Sequence, residues 1–550
     1  MNYLAPVPAI LFALRQAADV ARLPGWDDGL AEQVLSEAAR FINAEISPLD
    51  ALVDEAGVTL EAGRVKLAPA LVQAYQRYRD GGWSGLTGPE EFGGQALPHV
   101  LASAISEMIA GACMSFQMLV GLPPAAARVI ELAGTAGQRL RYLPPLISGE
   151  WLSSMCLTEP QAGSDLGRIA CQARPDGHGY TLHGGKIFIS GGDHDATGNI
   201  VHLVLARTPQ APAGVKGLSL FVAPAVLPDG ERNAITCVTV ERKMGLHGSP
   251  TCQLAFDGAQ AELLGSEGDG LALMFGMMNA ARIEVALQGV GLAEIATQRA
   301  WRYASERLQG RGAGGPGPVP LTEHADVQRM LLTQAALGEG CRALIYRVAV
   351  EHALHHDSPL VNFLTPVCKA FASDCGVEAA QLAIQVHGGY GFLQEYRVEQ
   401  ILRDARITQI YEGANGIHAA ALSERMLRID GGAPASAFRV FVQQAMELAL
   451  PETANKLQCA LAAWDQATGV QRQAPAGMQA YDYLRLTGLL AVGAAWARME
   501  AAAEHAPHPE RTRAAARFYR EWLLPECDLL AARIAAHACH RTLPVSLFAA

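Results

Sequence analysis

Tyr180-Thr-Leu-His-Gly-Gly-Lys-Ile-Phe-Ile-Ser190, followed by Ile200-Val-His-Leu-Val-Leu205, is where this chain stops reading as helix. Upstream, apolar residues recur at helical spacing. Over Asp27–Ile46, Leu30, Val34, Leu35, Ala38 and Phe41 fall on one side. Leu101 to Leu119 is a longer apolar helix candidate, and glycines 81, 82, 88, 93 and 94 punctuate the loop before it. From about Trp151 the apolar runs become short and rich in β-branched or aromatic residues. They continue as Leu218-Ser-Leu-Phe-Val, Ile235-Thr-Cys-Val-Thr-Val and Gln253-Leu-Ala-Phe-Asp-Gly. Such side chains fit a pleated, half-buried surface. Turns are expected at Gly184-Gly185, Gly191-Gly192 and Asp229-Gly230, so the segment predicts a small β-sandwich or barrel.

After Gly270 the helical period returns and holds to about residue 428, interrupted by a Gly/Pro-rich loop from Gly312 to Pro320. The glycine-rich Gly265–Gly270 stretch reads as the turn into these helices. The strand–helix fingerprint of a dinucleotide loop is not read around it. Gly431-Gly-Ala-Pro marks a further boundary. The expected fold is α+β, mainly α, in four parts. These are an N-terminal helical domain (1–150), a β domain (151–265), a C-terminal four-helix bundle (266–430) and an additional helical domain (435–550). A chain of 550 residues is long enough for several separate cores.

The net charge of −11 argues against a general nucleic-acid binder, which carries a basic excess. No run reaches the roughly 18 uninterrupted apolar residues of a membrane span, and the N-terminus lacks the basic stretch of a signal peptide. Neither a transmembrane segment nor export is therefore expected. The eleven cysteines include no Cys-x-x-Cys pair and read as free thiols in a cytoplasmic protein. His537, Cys539 and His540 lie close together, and His355 and His356 are adjacent, but no second cluster has ligand spacing to complete a metal site. No metal is expected.

Two stretches carry a resemblance. Met155-Cys-Leu-Thr-Glu-Pro-Gln-Ala-Gly-Ser-Asp165 resembles the Thr-Glu-Pro-x-Ala-Gly-Ser-Asp signature of acyl-CoA dehydrogenases. The second signature of that family follows as Gln385-Val-His-Gly-Gly-Tyr-Gly-Phe392 and Arg403-Asp-Ala-Arg-Ile-Thr-Gln-Ile-Tyr-Glu-Gly413. The order helices, β domain, helices agrees, so the resemblance covers roughly residues 30 to 428. With its extra C-terminal helical region, the chain is similar in layout to the long bacterial subgroup that includes 3-methylmercaptopropionyl-CoA and large fatty-acyl-CoA dehydrogenases.

The reaction implied is α,β-dehydrogenation of an acyl-CoA thioester to the trans-2-enoyl-CoA. A base must take the weakly acidic Cα proton. The Cβ hydride needs an acceptor that no side chain supplies, and FAD fills that role. The resemblance places the base at Glu412, after the apolar stretch Ile407-Thr-Gln-Ile-Tyr411. Burial there would raise its pKa and make it a better base near neutral pH. Some relatives carry the base on another helix, before an arginine. That position here is Ala281, before Arg282, and alanine cannot serve.

The resemblance also implies FAD contacts at Leu157, Thr158, Ser164, Phe188 and Ser190. It assigns to a neighbouring subunit's FAD a clamp of Arg307, Gln309, Gln385, Gly388 and Gly389, with Ala414 and Asn415 beside the base. A planar, permanent guanidinium suits a diphosphate. Ser164, Asn279, Arg282 and Gly413 are the implied substrate contacts, with asparagine at 279 where the family often has an acid. His387 reads as a packing residue. A shared FAD site implies a homodimer or homotetramer. Electron-transferring flavoprotein is the implied electron acceptor. An oxygen-using acyl-CoA oxidase and a non-catalytic DNA-binding flavoprotein are the alternatives, and the near-balanced charge of residues 435–550 counts against the second.

Overall fold

The computed structural model describes residues 3–177, 179–312, 317–355, 358–473 and 477–537. His356, Cys539, His540 and positions 313–316 of the Gly/Pro-rich loop lie outside these residues. The described chain is mostly helical, with one sizeable sheet between its helical parts. It forms two compact units. One comprises residues 41–102 and 112–281; the other gathers 1–40, 103–111 and 282–550.

The sheet of the first unit has seven strands: β1 (Trp151–Cys156), β2 (Gln172–Asp176), β3 (Gly179–Ser190), β4 (Asn199–Arg207), β5 (Leu218–Pro224), β6 (Ile235–Val240) and β7 (Thr251–Leu264). Neighbours run β1-β4-β2-β3-β7-β5, with β6 on β7. β5 also pairs with β4, with Leu205 opposite Leu220, so the sheet closes on itself as a barrel. Its central strands explain the sequence pattern. β4 and β5 are buried on both faces and read as near-continuous apolar runs, interrupted by His202 and Ser219, whereas β7 alternates.

Gly184-Gly185 does not turn the chain. Both lie inside β3, where Gly184 has φ +139° and a Cβ would come within 3.1 Å of Cys171 Cα. The pair allows close strand contact, and the register shifts beside it. Gly191 (φ +62°) and Gly230 (φ +87°) do sit in turns. The Gly265–Gly270 stretch joins β7 to the next helix, and Gly270 is needed because a Cβ would meet the Ser219 backbone at 2.4 Å.

The long apolar candidate over 101–119 is two helices, His99–Ala112 and Met114–Val120, broken where Cys113 adopts an extended backbone. In the helix Asp28–Phe41 the buried stripe is Ala31, Leu35, Ala38 and Ala39. Leu30, expected on that side, is 44% exposed.

The second unit is built on α1 (Gly270–Glu306, shared between the two units), α2 (Ala325–Leu354) and α3 (Pro359–His387). By length and composition α1 could cross a membrane, a test that the count of uninterrupted apolar residues did not apply. Here its Val285, Ala286, Leu287, Val290 and Ala296 are buried. Arg342 on α2 is buried among carboxylates. It donates to Glu107 at 2.7 Å and to Glu294 at 2.8 Å, which explains why residues 103–111 cluster here. Asp430, Gly431 and Gly432 all have positive φ and end the bundle. Then come α4 (Ala433–Leu448), α5 (Pro451–Gln473) and α6 (Ala480–Ala501). Helix α6 is buried on nearly every side, as its apolar sequence requires. Trp496 on α6 donates to the Ala336 carbonyl at 2.8 Å, and a Cβ at Gly488 would strike Phe371 at 2.3 Å. The C-terminal helices thus share one compact unit with the bundle.

Candidate active site

On the barrel, the end of β1 is tied to β3. Lys186, fully buried, donates to the Leu157 carbonyl at 2.9 Å and to Glu159 at 2.8 Å. Glu159 also accepts from the Ala170 and Cys171 amides at 2.7 and 3.0 Å. Burial opposes ionisation of Glu159, but the Lys186 ammonium and these donors win, and its pKa lies below the ordinary value. The Ile187 amide donates to the Thr158 carbonyl at 2.9 Å. Leu157 and Thr158 are therefore held beside the segment that carries Phe188 and Ser190. The register shifts between Lys186 and Ile189, and Phe188 takes φ +59°. A phenylalanine in the left-handed region is strained by about 1–2 kcal/mol. Its ring is 59% exposed, so no burial within the chain offsets that cost. Ser164 lies exposed on the loop beyond Glu159.

In the helical unit, the chain leaves the turn Arg406–Gln409, passes Glu412 and enters the helix Asn415–Ala421. Glu412 has φ +54° and Gly413 φ +90°, two successive left-handed residues. Glycine suits the second position, but glutamate at the first costs about 1–2 kcal/mol. The loop is held from several sides. His418 Nε2 donates to the Glu412 carbonyl at 3.0 Å. Lys369 on α3 donates to the Gly413 carbonyl at 2.8 Å and to Asn415 Oδ1 at 2.9 Å. Asn415 Nδ2 reaches the Ala370 carbonyl, Ser373 Oγ and Asp374 Oδ1 at 3.1, 3.0 and 2.9 Å. Its side chain is spent on protein partners.

The electrostatics follow from this burial. Glu412 is only partly covered by surface area, yet protein surrounds its carboxyl closely enough for desolvation to dominate. Its pKa is pushed up to about 7, against the opposing pull of Arg282 and Lys369. Burial lowers Lys369 to about 8, although Glu412 and Asp374 favour its charge. His418, brought down to about 3 by burial, Arg282 and Lys369, is neutral and carries its proton on Nε2. Arg282 therefore stands near Glu412 and not only along the helix from Asn279. Glu284, two residues after Arg282, accepts a hydrogen bond from Ser106.

A third group lies at the far end of α3. The Arg307 guanidinium sits 5.7 Å from the centre of the Tyr390 ring, on the turn that Gly388 and Gly389 begin. Gly388 has φ +61° and open space at its Cβ position, so backbone conformation, not crowding within the chain, calls for glycine. Gln385 is in the last turn of α3. Gln309 forms a two-residue ladder with Val319, and its carbonyl accepts from His324 at 2.8 Å. His387 is a packing residue: it is 3% exposed, stacked on Tyr303 at 4.2 Å, and donates from Nδ1 to Ala383. Among the described residues no group of three His, Cys, Asp or Glu side chains is placed to hold a metal.

The sequence reading missed Lys369, Asp374, His418 and the Lys186–Glu159 pair. A lone lysine inside the apolar run Leu364-Thr-Pro-Val-Cys-Lys-Ala-Phe was the available signal, since lysine is rarely buried without a partner. Asp374 and His418 gave no comparable mark.

Comparisons with known proteins identify the family of the chain. Three acyl-CoA dehydrogenase family models match in order: the N-terminal domain over residues 30–150, the middle domain over 154–259 and the C-terminal domain over 268–427. Residues 435–540 match a fourth, described as acetyl-CoA dehydrogenase C-terminal like. The chain is 43% identical over 463 residues to the 3-methylmercaptopropionyl-CoA dehydrogenase of Ruegeria pomeroyi, covering 80% of this chain and 78% of that protein. Butyryl-CoA dehydrogenase of Megasphaera elsdenii superposes with a TM-score of 0.63 at 27% identity, over 72% of this chain and 98% of that one. ACDH-11 of Caenorhabditis elegans, solved with C11-CoA, superposes with a TM-score of 0.80 over 98% of this chain and 96% of that one. At 21% identity it supports the fold alone.

Proposed function

The chain belongs to the FAD-dependent acyl-CoA dehydrogenase family, and from that premise we propose that Glu412 removes the Cα proton of an acyl-CoA thioester to give the trans-2-enoyl-CoA. The observation that carries this reading is the Glu412 carboxyl itself. Burial raises it to about 7 in a loop whose strained backbone is held by Lys369, His418 and Asn415. A base matched to neutral pH is half protonated near its working pH and strong enough to accept a carbon-bound proton. The backbone N–H of Glu412 holds the thioester carbonyl, and Arg282, Asn279, Gly413 and Ser164 serve the CoA side of the substrate.

The residues fit FAD. An exposed, strained Phe188 offers a ring face, with Leu157, Thr158, Ser164 and Ser190 beside it. Arg307, Gln309, Gln385, Gly388 and Gly389 offer a cation and open backbone for a diphosphate, and Ala414 and the Asn415 backbone adjoin the base. When bound, FAD supplies the acceptor for the Cβ hydride and hands electrons to an electron-transferring flavoprotein. We assign the Arg307 group to a partner subunit's FAD, so the enzyme works as a homodimer or homotetramer in the cytoplasm. The domain reading 1–150, 151–265, 266–430 and 435–550 accompanies this proposal.

A panel of acyl-CoA esters, straight, branched, aromatic and methylthio, tests the activity with an artificial electron acceptor. Reduction of the acceptor with at least one ester is expected. Oxygen consumption without acceptor reduction would make it an oxidase, and no turnover of any ester would contradict the proposal.

A further inference from the structure

Residues 435–537 pack onto the bundle, and a polar contact leads from them to the loop of the base. Tyr481, in the first turn of α6, donates its hydroxyl proton to Asp374 Oδ2 at 2.5 Å. The other oxygen, Oδ1, accepts from Gln409 Nε2 at 2.7 Å and from Asn415 Nδ2 at 2.9 Å. Gln409 and Asn415 lie three residues before and three after Glu412. One carboxylate therefore spans both ends of the strained loop, and the Tyr481 donor fixes its rotation. A carboxylate with donors on both oxygens has one orientation. With one oxygen released it can turn, and both amides lose a fixed acceptor.

We infer that Tyr481 is a positioning residue for the base, acting through Asp374 on the loop that Gln409 and Asn415 bracket, which gives the C-terminal helices a part in the chemistry. This rests on the reading of Glu412 as the base. The groups that face Glu412 are Arg282 from α1, Lys369 from α3, and Tyr411 and His418 from its own segment, with Asp374 behind Lys369. Tyr481 itself is 38% exposed, so its hydroxyl contributes little to the core.

The test is Tyr481→Phe in the full-length FAD-loaded enzyme, with an acyl-CoA ester that the parent oxidises. The expected result is a fall in kcat of about tenfold, the size that loss of one charge-assisted hydrogen bond allows, with KM within about twofold. The acid limb of the kcat profile should move to lower pH as the loosened loop admits water to Glu412. FAD content and melting temperature should match the parent. In a double-mutant cycle, Asp374→Asn should add little to Tyr481→Phe, because both break one path. If Asp374→Asn does not hold FAD, Gln409→Met takes its place in the cycle. Unchanged kcat and pH profile would overturn the inference, as would full additivity, or a kcat loss that merely follows lost FAD or lowered melting temperature. An inactive Glu412→Gln beside an unaffected Tyr481→Phe would sink this inference alone. An active Glu412→Gln would sink the reading of the base.

Discussion

The Lys369 ammonium stands 2.8 Å from the carbonyl oxygen of Gly413 and 2.9 Å from Oδ1 of Asn415, one residue and three residues after Glu412. One buried cation thereby fixes the backbone of the loop and favours the ionised form of Glu412. Lys369→Met keeps the aliphatic stem and removes both effects. The acid limb of kcat/KM should rise by up to about one pH unit, since an opposite charge nearby lowers a carboxyl pKa by about 1–3 units. The rate at neutral pH should fall by about tenfold or more. Unchanged pH dependence would remove Lys369 from the site.

The parent enzyme's own pH dependence follows from the carboxyl at about 7. In the proposed role Glu412 acts unprotonated, so kcat/KM should fall about tenfold per pH unit below that value and level off above it. Stability runs the other way. A carboxyl whose folded pKa is raised favours the folded state while protonated, and that stability is lost as pH rises from about 4.5 to 7. Glu412→Gln should therefore melt higher than the parent at pH 8 and near the parent at pH 4.5. Equal melting at both pH values would mean that the carboxylate is not held in a desolvating site.

Lys186 and Glu159 form a buried pair at 2.8 Å that joins Leu157 and Thr158 to the Phe188 segment. Breaking a buried pair from one side costs about 3–5 kcal/mol, because the remaining charge loses its partner. Lys186→Met should lower the melting temperature by several degrees and reduce FAD content. The measurements are thermal unfolding and the flavin-to-protein absorbance ratio. Full FAD content in a destabilised variant would confine the pair to structure.

Arg307 is exposed and lies over Tyr390 beside Gly388 and Gly389. Arg307→Ala should leave the melting temperature of the apoprotein within about 1 °C, since an exposed side chain contributes little to folding. FAD should dissociate at least tenfold faster, through loss of a charge-assisted contact to a diphosphate. FAD held as tightly as in the parent would remove Arg307 from the clamp.

Much of the fold was legible because burial leaves periodic marks. The two-sided burial of β4 and β5 appears as near-continuous apolar runs, and the return of helical spacing after Gly270 marks the bundle. Gly184-Gly185 misled because glycine serves close strand contact as well as turns. Cys113 broke an apolar helix where Gly111 was the one helix-weakening residue nearby, a mark too weak on its own to place a break. Glu412 was singled out by its motif, and the structure shows its strained loop. Lys369, Asp374 and Tyr481 were not, because they meet the loop from α3 and α6, and pairings that distant in sequence have no local signature.

The central claim is that Glu412 takes the Cα proton. Glu412→Gln keeps the side chain's shape and the backbone N–H while removing the capacity to accept that proton. A positioned base contributes about a hundred- to ten-thousand-fold in rate. The measurement is anaerobic bleaching of the flavin's long-wavelength band after acyl-CoA is added to the FAD-loaded variant. The account predicts that the variant binds acyl-CoA and the flavin stays oxidised over the time in which the parent bleaches fully. Bleaching at the parent's rate would contradict it and pass the role to another group, with Glu284 the next to test.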